Sequence, residues 1–438
     1  MIDKNKILEI LNDWNLWGQK EIETGVERAD YLQKMEEFLA MDMIVSLAGL
    51  RRSGKSTLLL QLSKRLIAKK KAKKEEILYV NFEDSRFLGE YSLQLLNDIY
   101  ETYLENLNPT KKPIILLDEI QNIPGWEKFV NSLYERKMAR IFVSGSNAQL
   151  LQSEYSQVLT GRQIVLRVYP LTFKEFILFQ KVTVKNKLEM LEKKNKLNSL
   201  LTQYLRYGGL PKVALAKTEE EKELLAQNYF SDILNRDLIK RFRIKEIGKL
   251  EMLAKFYFTN ISSMISFNKI SRFTKIPSTT IERFSDYLTT PYLFYFVNKF
   301  SFSLKEQSVN ARKVYTADLG LRNAISFSFS EDRGKLLENS VAMHLIQTQK
   351  EIYYFRTKNN REVDFLVKKG TKEKALIQVC TTLKDFPTQE REIKALFEAM
   401  EELKLKEGLI LTENEEKEIK VGGKIIKVMP IWKWLLEV

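Results

Sequence analysis

From residue 43 onward, short apolar runs rich in β-branched residues alternate with longer stretches whose apolar positions recur at helical spacing. The runs 44–48, 77–82, 114–117 and 141–143 are mostly apolar and bounded by turn residues, the pattern of parallel strands covered on both faces. Between them, 55–70, 92–107 and 126–137 have the length and spacing of helices. This alternation predicts an α/β domain built on a doubly wound parallel sheet. Residues 1–43, ahead of it, read as helical with a Lys/Glu-rich surface, as in 31–39.

After Tyr169-Pro170 the strand signals stop. Thr172-Phe173-Lys174-Glu175 is a capping box, in which Thr172 accepts from the first turn and Glu175 reaches back. Mostly helical sequence follows to about residue 240, then a compact helical group near 250–290. In that group 267–273 predicts a short helix, Lys275-Ile276-Pro277 a turn, and Thr279-Thr280 the capped start of a second helix carrying Ile281, Phe284 and Leu288 on one face. The spacing suits a winged helix, whose second helix can enter a major groove, although its outward residues Thr280, Arg283 and Asp286 are only moderately basic. Strand signals return after Ser340, at 352–355, 363–367, 375–379 and 408–411, around one long helix at 389–403. No repeat of fixed period is present.

Composition narrows the class. A single cysteine, Cys380, excludes an intrachain disulfide framework, and a single histidine, His344, argues against zinc ribbons and His-based triads. Nothing approaches the roughly 18 uncharged apolar residues of a membrane helix, and Met1–Lys6 has no signal-like apolar core. The expectation is a soluble cytoplasmic protein without a membrane span. The net charge of +14 admits a nucleic-acid partner through phosphate neutralisation. It equally fits solvated helix faces, because mixed Lys/Glu runs such as 69–76 hold much of it.

The chemistry is concentrated at Gly49-Leu50-Arg51-Arg52-Ser53-Gly54-Lys55-Ser56-Thr57, which fits G-x-x-x-x-G-K-[ST] in full between a strand and a helix. Gly49 and Gly54 let the backbone curl so that successive N–H groups face a phosphate. The helix beginning at Lys55 turns its positive end toward the same anion. Lys55 is then the bridge to β- and γ-phosphate oxygens and Ser56 a Mg²⁺ ligand. Gly49, Arg52, Ser53, Gly54, Lys55, Ser56 and Thr57 are the candidate nucleotide contacts. Downstream, the apolar run 114–117 ends in Asp118-Glu119. Asp118 is placed for the Mg²⁺ shell at a strand's C-terminal edge, and Glu119 to polarise an attacking water. The extra strand 77–82 between the two motifs points to the additional-strand, Glu-using class of P-loop ATPases. No Asn-Lys-x-Asp guanine reader is present, which favours ATP over GTP. At the next strand end Asn147 is the candidate γ-phosphate and water contact, with Ser146 the alternate. Arg162 offers positive charge to the transition state, within the chain or across a subunit boundary.

These motifs resemble the AAA+-type ATPases of archaea and bacteria that carry a C-terminal module of restriction-endonuclease-like fold. The resemblance extends through Asn81-Phe82-Glu83-Asp84, 116–126, Ser144-Gly145-Ser146-Asn147-Ala148, Leu159-Thr160-Gly161-Arg162, 169–176, Tyr207-Gly208-Gly209-Leu210-Pro211, 315–321 and Glu338-Asn339, nearly the whole chain. It implies an ATPase core with an N-terminal helical extension at 1–170, a helical lid at 171–240, a winged helix at 241–325 and the nuclease-like module at 326–438. It also implies that Pro211 lies near the adenine, as in the Gly-x-Pro lid motif of signal-transduction ATPases. Glu338 and Asp364 fit the first two positions of the nuclease site, while the third, Glu/Gln-x-Lys, reads Gln378-Val379-Cys380. Gln378 is a neutral and weaker ligand for a hard cation, Cys380 brings no positive charge, and Lys384 is a stand-in that nothing requires. The expected activity is hydrolysis of ATP with Mg²⁺, coupled to a DNA or protein partner, with nuclease chemistry weak or absent and the module a binding platform. The alternatives are a DNA-binding nucleotide switch with slow turnover and a Mg²⁺-dependent nuclease with an ATPase module. Oligomeric state is left open.

Overall fold

The structure, a computed structural model, describes residues 2–18, 21–146, 159, 161–301, 303, 306–307, 310–326, 332–348, 350–369 and 373–437. Its contacts divide the chain into two units, Met1–Val168 and Tyr169–Val438.

In the first unit the chain runs α1 (Lys4–Trp14), α2 (Ala29–Ala40), β1 (Ile44–Ala48), α3 (Lys55–Ala68), β2 (Ile77–Asn81), α4 (Leu93–Leu107), β3 (Ile114–Asp118), α5 (Trp126–Glu135), β4 (Arg140–Gly145) and β5 (Gln163–Arg167). The strands form one five-stranded sheet in the order β2-β3-β4-β1-β5, parallel throughout. Successive side chains alternate between two cores. Leu78, Val80, Ile115, Leu117, Ile141 and Val143 pack with residues of α1, α4 and α5. Ile77, Tyr79, Ile114, Leu116, Phe142, Val45 and Leu47 pack with residues of α2 and α3. Burial on both faces is the reason the strands read as nearly unbroken apolar runs.

Three expectations are corrected here. Residues 21–28 run between α1 and α2 without helix. β5 has no counterpart among the predicted strands, and its backbone pairs with the whole length of β1. The strand at 77–81 lies at the outer edge of the sheet, and β4 is the one inserted between the loop-bearing β1 and the acid-bearing β3.

The second unit opens with helices. Phe173–Phe179 starts at the expected capping box, where Glu175 N donates to Thr172 Oγ1 at 3.1 Å and Thr172 N to Glu175 Oε2 at 2.9 Å. Helices Lys194–Tyr207, Pro211–Leu215 and Glu219–Asp232 follow, the last continuing as a π-helix over Ile233–Ile239. After a further helix, Ile247–Thr259, come β6 (Ser263–Ile265), α6 (Phe267–Thr274), α7 (Ser278–Thr289), β7 (Phe294–Val297) and β8 (Arg312–Thr316). The three strands pair antiparallel in the order β6-β8-β7. Ile281, Phe284 and Leu288 are buried as expected. The start of α7 differs from expectation: Pro277 holds the N-cap position and no side chain caps the helix.

The chain then builds α8 (Arg333–Gln347), β9 (Glu351–Arg356), β10 (Glu362–Lys369), β11 (Glu373–Val379), α9 (Phe386–Glu402), β12 (Glu407–Thr412), β13 (Lys417–Val421) and β14 (Lys424–Pro430). These strands form a mixed six-stranded sheet, ordered β13-β14-β12-β11-β10-β9, with α9 packed on it through Ala395, Leu396, Ala399 and Met400. Among the described residues no helix is long and apolar enough to cross a membrane.

Candidate functional site

The loop after β1 is shaped by two glycines with different tasks. At Gly49 an added Cβ would lie 2.0 Å from the carbonyl oxygen of Val168, so this glycine is required by the close passage of the chain leaving β5. At Gly54 the backbone takes φ 101° as it enters α3, a left-handed turn that suits glycine. Lys55 is buried, and its Nζ donates to the carbonyls of Gly49 at 3.0 Å and Leu50 at 3.1 Å, closing the loop on itself. Arg28 holds the loop from outside, donating from Nη1 to the Ser53 carbonyl at 3.0 Å. The Ser53 hydroxyl is buried and makes no hydrogen bond among the described residues. Ser56 is half-buried, while Arg52 and Thr57 are exposed. Arg51 is buried against Glu83, Nη1 to Oε1, at 2.8 Å.

The acidic pair lies at the same edge of the sheet. Ala48 of β1 registers with Gly145 of β4, and Leu117 of β3 with Val143, so the three strands end together. Asp118 is buried with both carboxylate oxygens engaged: Tyr79 Oη donates to Oδ2 at 2.8 Å and Ser144 Oγ donates to Oδ1. The next residue, Glu119, turns into the left-handed region at φ 54°, and its amide donates to Ser144 Oγ at 3.3 Å. Gln121 donates to the Glu119 carboxylate. Burial pushes the Glu119 carboxyl above the usual range, Asp118 and Glu83 add to the shift, and the Lys55 and Arg51 charges oppose it. Lys55, Asp118 and Glu119 therefore share one electrostatic site. A basic loop with a buried orphan hydroxyl, facing two carboxylates, fits a phosphate chain and its hard cation.

Ser144, which sequence reasoning passed over, links the two carboxylate-bearing residues of this site. Its only signal is a hydroxyl terminating an apolar run. Ser146 is also buried, and Asn147 lies outside the described residues. Arg162 is carried elsewhere. It precedes β5 at the end where the strands begin, bonding Asn131 Oδ1 at 2.8 Å and Glu135 at 2.6 Å. The parallel register of β1 and β5 sets it about five residues, roughly 16 Å, from its own loop. The within-chain role expected for it is thereby corrected.

Pro211 belongs to the second unit, where it opens a short helix at the first position. The preceding glycines are bound to a buried carboxylate: Gly209 N donates to Asp318 Oδ2 at 2.7 Å, and the Leu321 amide donates to Oδ1 at 3.1 Å. Burial pushes Asp318 up to about 6 against those backbone donors.

Glu338 on α8, Asp364 on β10 and Gln378 on β11 do converge in the second unit, around a residue that the sequence did not nominate. Lys313 of β8 is 1% exposed, and its Nζ donates to Glu338 Oε1 at 2.9 Å and Asp364 Oδ1 at 2.9 Å, with Glu362 Oε1 at 2.7 Å. Tyr315, two residues along the same strand face, donates to Glu338 Oε1 at 2.7 Å. Asp364 Oδ2 accepts from Val379 N at 2.9 Å, and Gln378 is turned inward, accepting from Asp364 N at 3.1 Å and donating to Glu392. Among the described residues no group of three or more His, Cys, Asp or Glu is arranged to hold a metal ion. Cys380 is buried, its thiol pushed up to about 12 mainly by that burial. His344 is buried against the Trp434 ring at 4.9 Å and held down to about 4.

A family model described as an AAA domain matches residues 41–177, the stretch that holds the loop, the acidic pair and the five-stranded sheet. Two models described as domains of unknown function, DUF8612 and DUF4143, match residues 198–332 and 333–434. The structure of the Walker-type ATPase PABY2304 of Pyrococcus abyssi is similar at 14% identity and a TM-score of 0.42, covering 71% of this chain and 99% of that one. An uncharacterized protein of Haemophilus influenzae is 28% identical over 94% of this chain and 99% of its own. The uncharacterized protein MJ1544 of Methanocaldococcus jannaschii is 34% identical over 89% of this chain and 87% of its own. An AAA-type P-loop fold followed by two further domains, aligned with MJ1544 along most of both chains, places this protein in the MJ1544 family.

Proposed function

We propose that this chain binds ATP with Mg²⁺ and hydrolyses it to ADP and phosphate. The observation that carries the reading is the shared site of Lys55 and the Asp118–Glu119 pair, with the Lys55 charge acting on a Glu119 carboxyl that burial has made more basic. Lys55 and the loop amides from Arg52 to Thr57 take the phosphates, and Ser56 with Asp118 would hold the cation. Bound Mg²⁺ would supply neutralisation of charge developing on the transferred phosphoryl oxygens. Glu119 accepts the proton of the attacking water, and Ser144, Ser146 or Asn147 orients it. Arg162 serves only across a subunit boundary. Lys55→Ala should abolish nucleotide retention, and Glu119→Gln should retain ATP and stop turnover; normal turnover by Glu119→Gln would remove Glu119 from this role.

The finer architecture is part of the same reading: a lid at 171–240 with Pro211 near the adenine, a winged helix at 241–325, and a module at 326–438 that acts as a platform for a DNA or protein partner. ATP would set the angle between core and lid. DNA is favoured by the exposed Lys269, Arg272, Lys275 and Arg283 on and between α6 and α7. Duplex binding that weakens steeply with salt and changes with ATP is the expected result. Absence of binding at low salt would direct the search to a protein partner.

A further inference from the structure

We propose that Lys313 is the resident cation of the C-terminal carboxylate cluster: its ammonium fills the seat between Glu338 and Asp364 that a divalent metal would need, and the cluster is a closed clasp. An ammonium has three hydrogens to donate and no acceptor. Here it donates to Glu338 and Asp364, both at 2.9 Å, and stands 2.7 Å from Glu362 as an ion pair, so carboxylates surround it. The flanking groups are engaged as well. Asp364 spends its second oxygen on the Val379 amide, Glu338 Oε1 also receives the Tyr315 hydroxyl, and Gln378 spends its carbonyl on the Asp364 amide. Magnesium asks for near-octahedral oxygens with several waters retained. Lys313, Asp364, Glu338 and Gln378 are all buried, with Glu362 one-third exposed, so a cation with its waters would have to displace the ammonium rather than join it.

A second cation stands beside the cluster, with Arg356 Nη2 3.7 Å from Glu362. The clasp also has a mechanical meaning. Lys313 comes from the three-stranded sheet, whereas its carboxylates stand on α8 and on β10 of the six-stranded sheet, so one side chain pins the two parts of the unit together.

The test is Mn²⁺ titration of the nucleotide-free full-length protein, followed by paramagnetic resonance. Wild type and Asp364→Asn should bind Mn²⁺ identically, because the cluster contributes no site. Lys313→Ala should gain one Mn²⁺, at least tenfold tighter than any binding at this position in wild type, with a melting temperature that rises with Mn²⁺; adding Asp364→Asn should erase both gains. A folded Lys313→Ala protein that gains no Mn²⁺ overturns the proposal. If Lys313→Ala does not fold, the wild-type comparison decides alone. Mn²⁺ binding by wild type that Asp364→Asn removes, or Mn²⁺-dependent cutting of DNA that Asp364→Asn abolishes, would mean a working metal centre and overturn it.

Discussion

Tyr79 donates its hydroxyl to Oδ2 of Asp118 at 2.8 Å, so the aromatic ring on β2 fixes the carboxylate at the end of β3. With Ser144 on the other oxygen, Asp118 is held from both neighbouring strands. A carboxylate so fixed has a single orientation at the strand edge beside the loop.

Removing either donor leaves a buried acceptor short of a partner, which costs about 1–3 kcal/mol. Tyr79→Phe and Ser144→Ala should each lower the melting temperature. Ser144→Ala should also reduce kcat for ATP more than it weakens ATP binding, since its hydroxyl accepts the Glu119 amide as well. Steady-state kinetics beside a melting curve separates the two effects; an unchanged kcat would confine Ser144 to structure.

Glu119 must be ionised to accept a proton, and burial raises its pKa above the ordinary carboxylate value. Its protonated, inactive form therefore persists to higher pH than for an exposed glutamate. The pH profile of kcat should rise along an acid limb displaced above 4.5, the ordinary value. Glu119→Gln should lose that limb together with nearly all turnover. A limb at the ordinary position would assign the general base elsewhere.

Glu338 gives a stability signature of the opposite kind. Burial and Asp364 push its carboxyl up to about 8 from an ordinary 4.5. Between these values the folded protein holds a proton that the unfolded chain has released, so stability is full below 4.5 and declines as pH rises to about 8. His344, held down to about 4 from 6.5, works the other way, lowering stability as pH falls through that range. Comparison with Glu338→Gln isolates the first effect. The stability difference between wild type and variant should shift against wild type from pH 4.5 to 8 in denaturant titrations, and a constant difference would show Glu338 ionised throughout.

The loop was legible because its chemistry is local: nine consecutive residues contain the glycines, the lysine and the hydroxyl. Strands β1 to β4 were legible because burial on both faces leaves a continuous apolar signal. β5 was not, since Gln163 and Arg167 bracket a three-residue apolar core and pairing with β1 makes it a strand. Lys313 was illegible for a different reason. Its partners Glu338 and Asp364 are 25 and 51 residues away, and a lone lysine in a strand ordinarily signals a solvent face. The reason for Gly208-Gly209 is likewise distant, in Asp318, 109 residues from Gly209.

Gly208 takes φ 73° and ψ −165°, a region open almost solely to glycine. An added Cβ would stand 2.3 Å from Asp318 Oδ1. Gly208→Ala combines backbone strain with a clash against a buried carboxylate, and should cost about 3 kcal/mol or more. A variant that melts within a degree or two of wild type would mean that Asp318 moves aside freely.

Arg28 acts on the same loop from the segment ahead of α2. A trans peptide directs its C=O and N–H to opposite sides. By drawing the Ser53 carbonyl outward at 3.0 Å, Arg28 turns the Gly54 N–H of the same peptide toward the loop interior. The segment that carries Arg28 is stapled to α3, where Gln61 Nε2 donates to the carbonyls of Thr24 and Val26, both at 2.8 Å. Residues 24–28 thus set the loop's shape through the Ser53 carbonyl. Arg28→Ala should weaken ATP binding about tenfold, or about 1.4 kcal/mol, with Arg28→Lys recovering part of the loss because its ammonium can still donate to the carbonyl. Equilibrium titration with a fluorescent ATP analogue measures this directly. Equal affinity in all three proteins would show that the loop holds its shape without the arginine and that the segment only packs against α3.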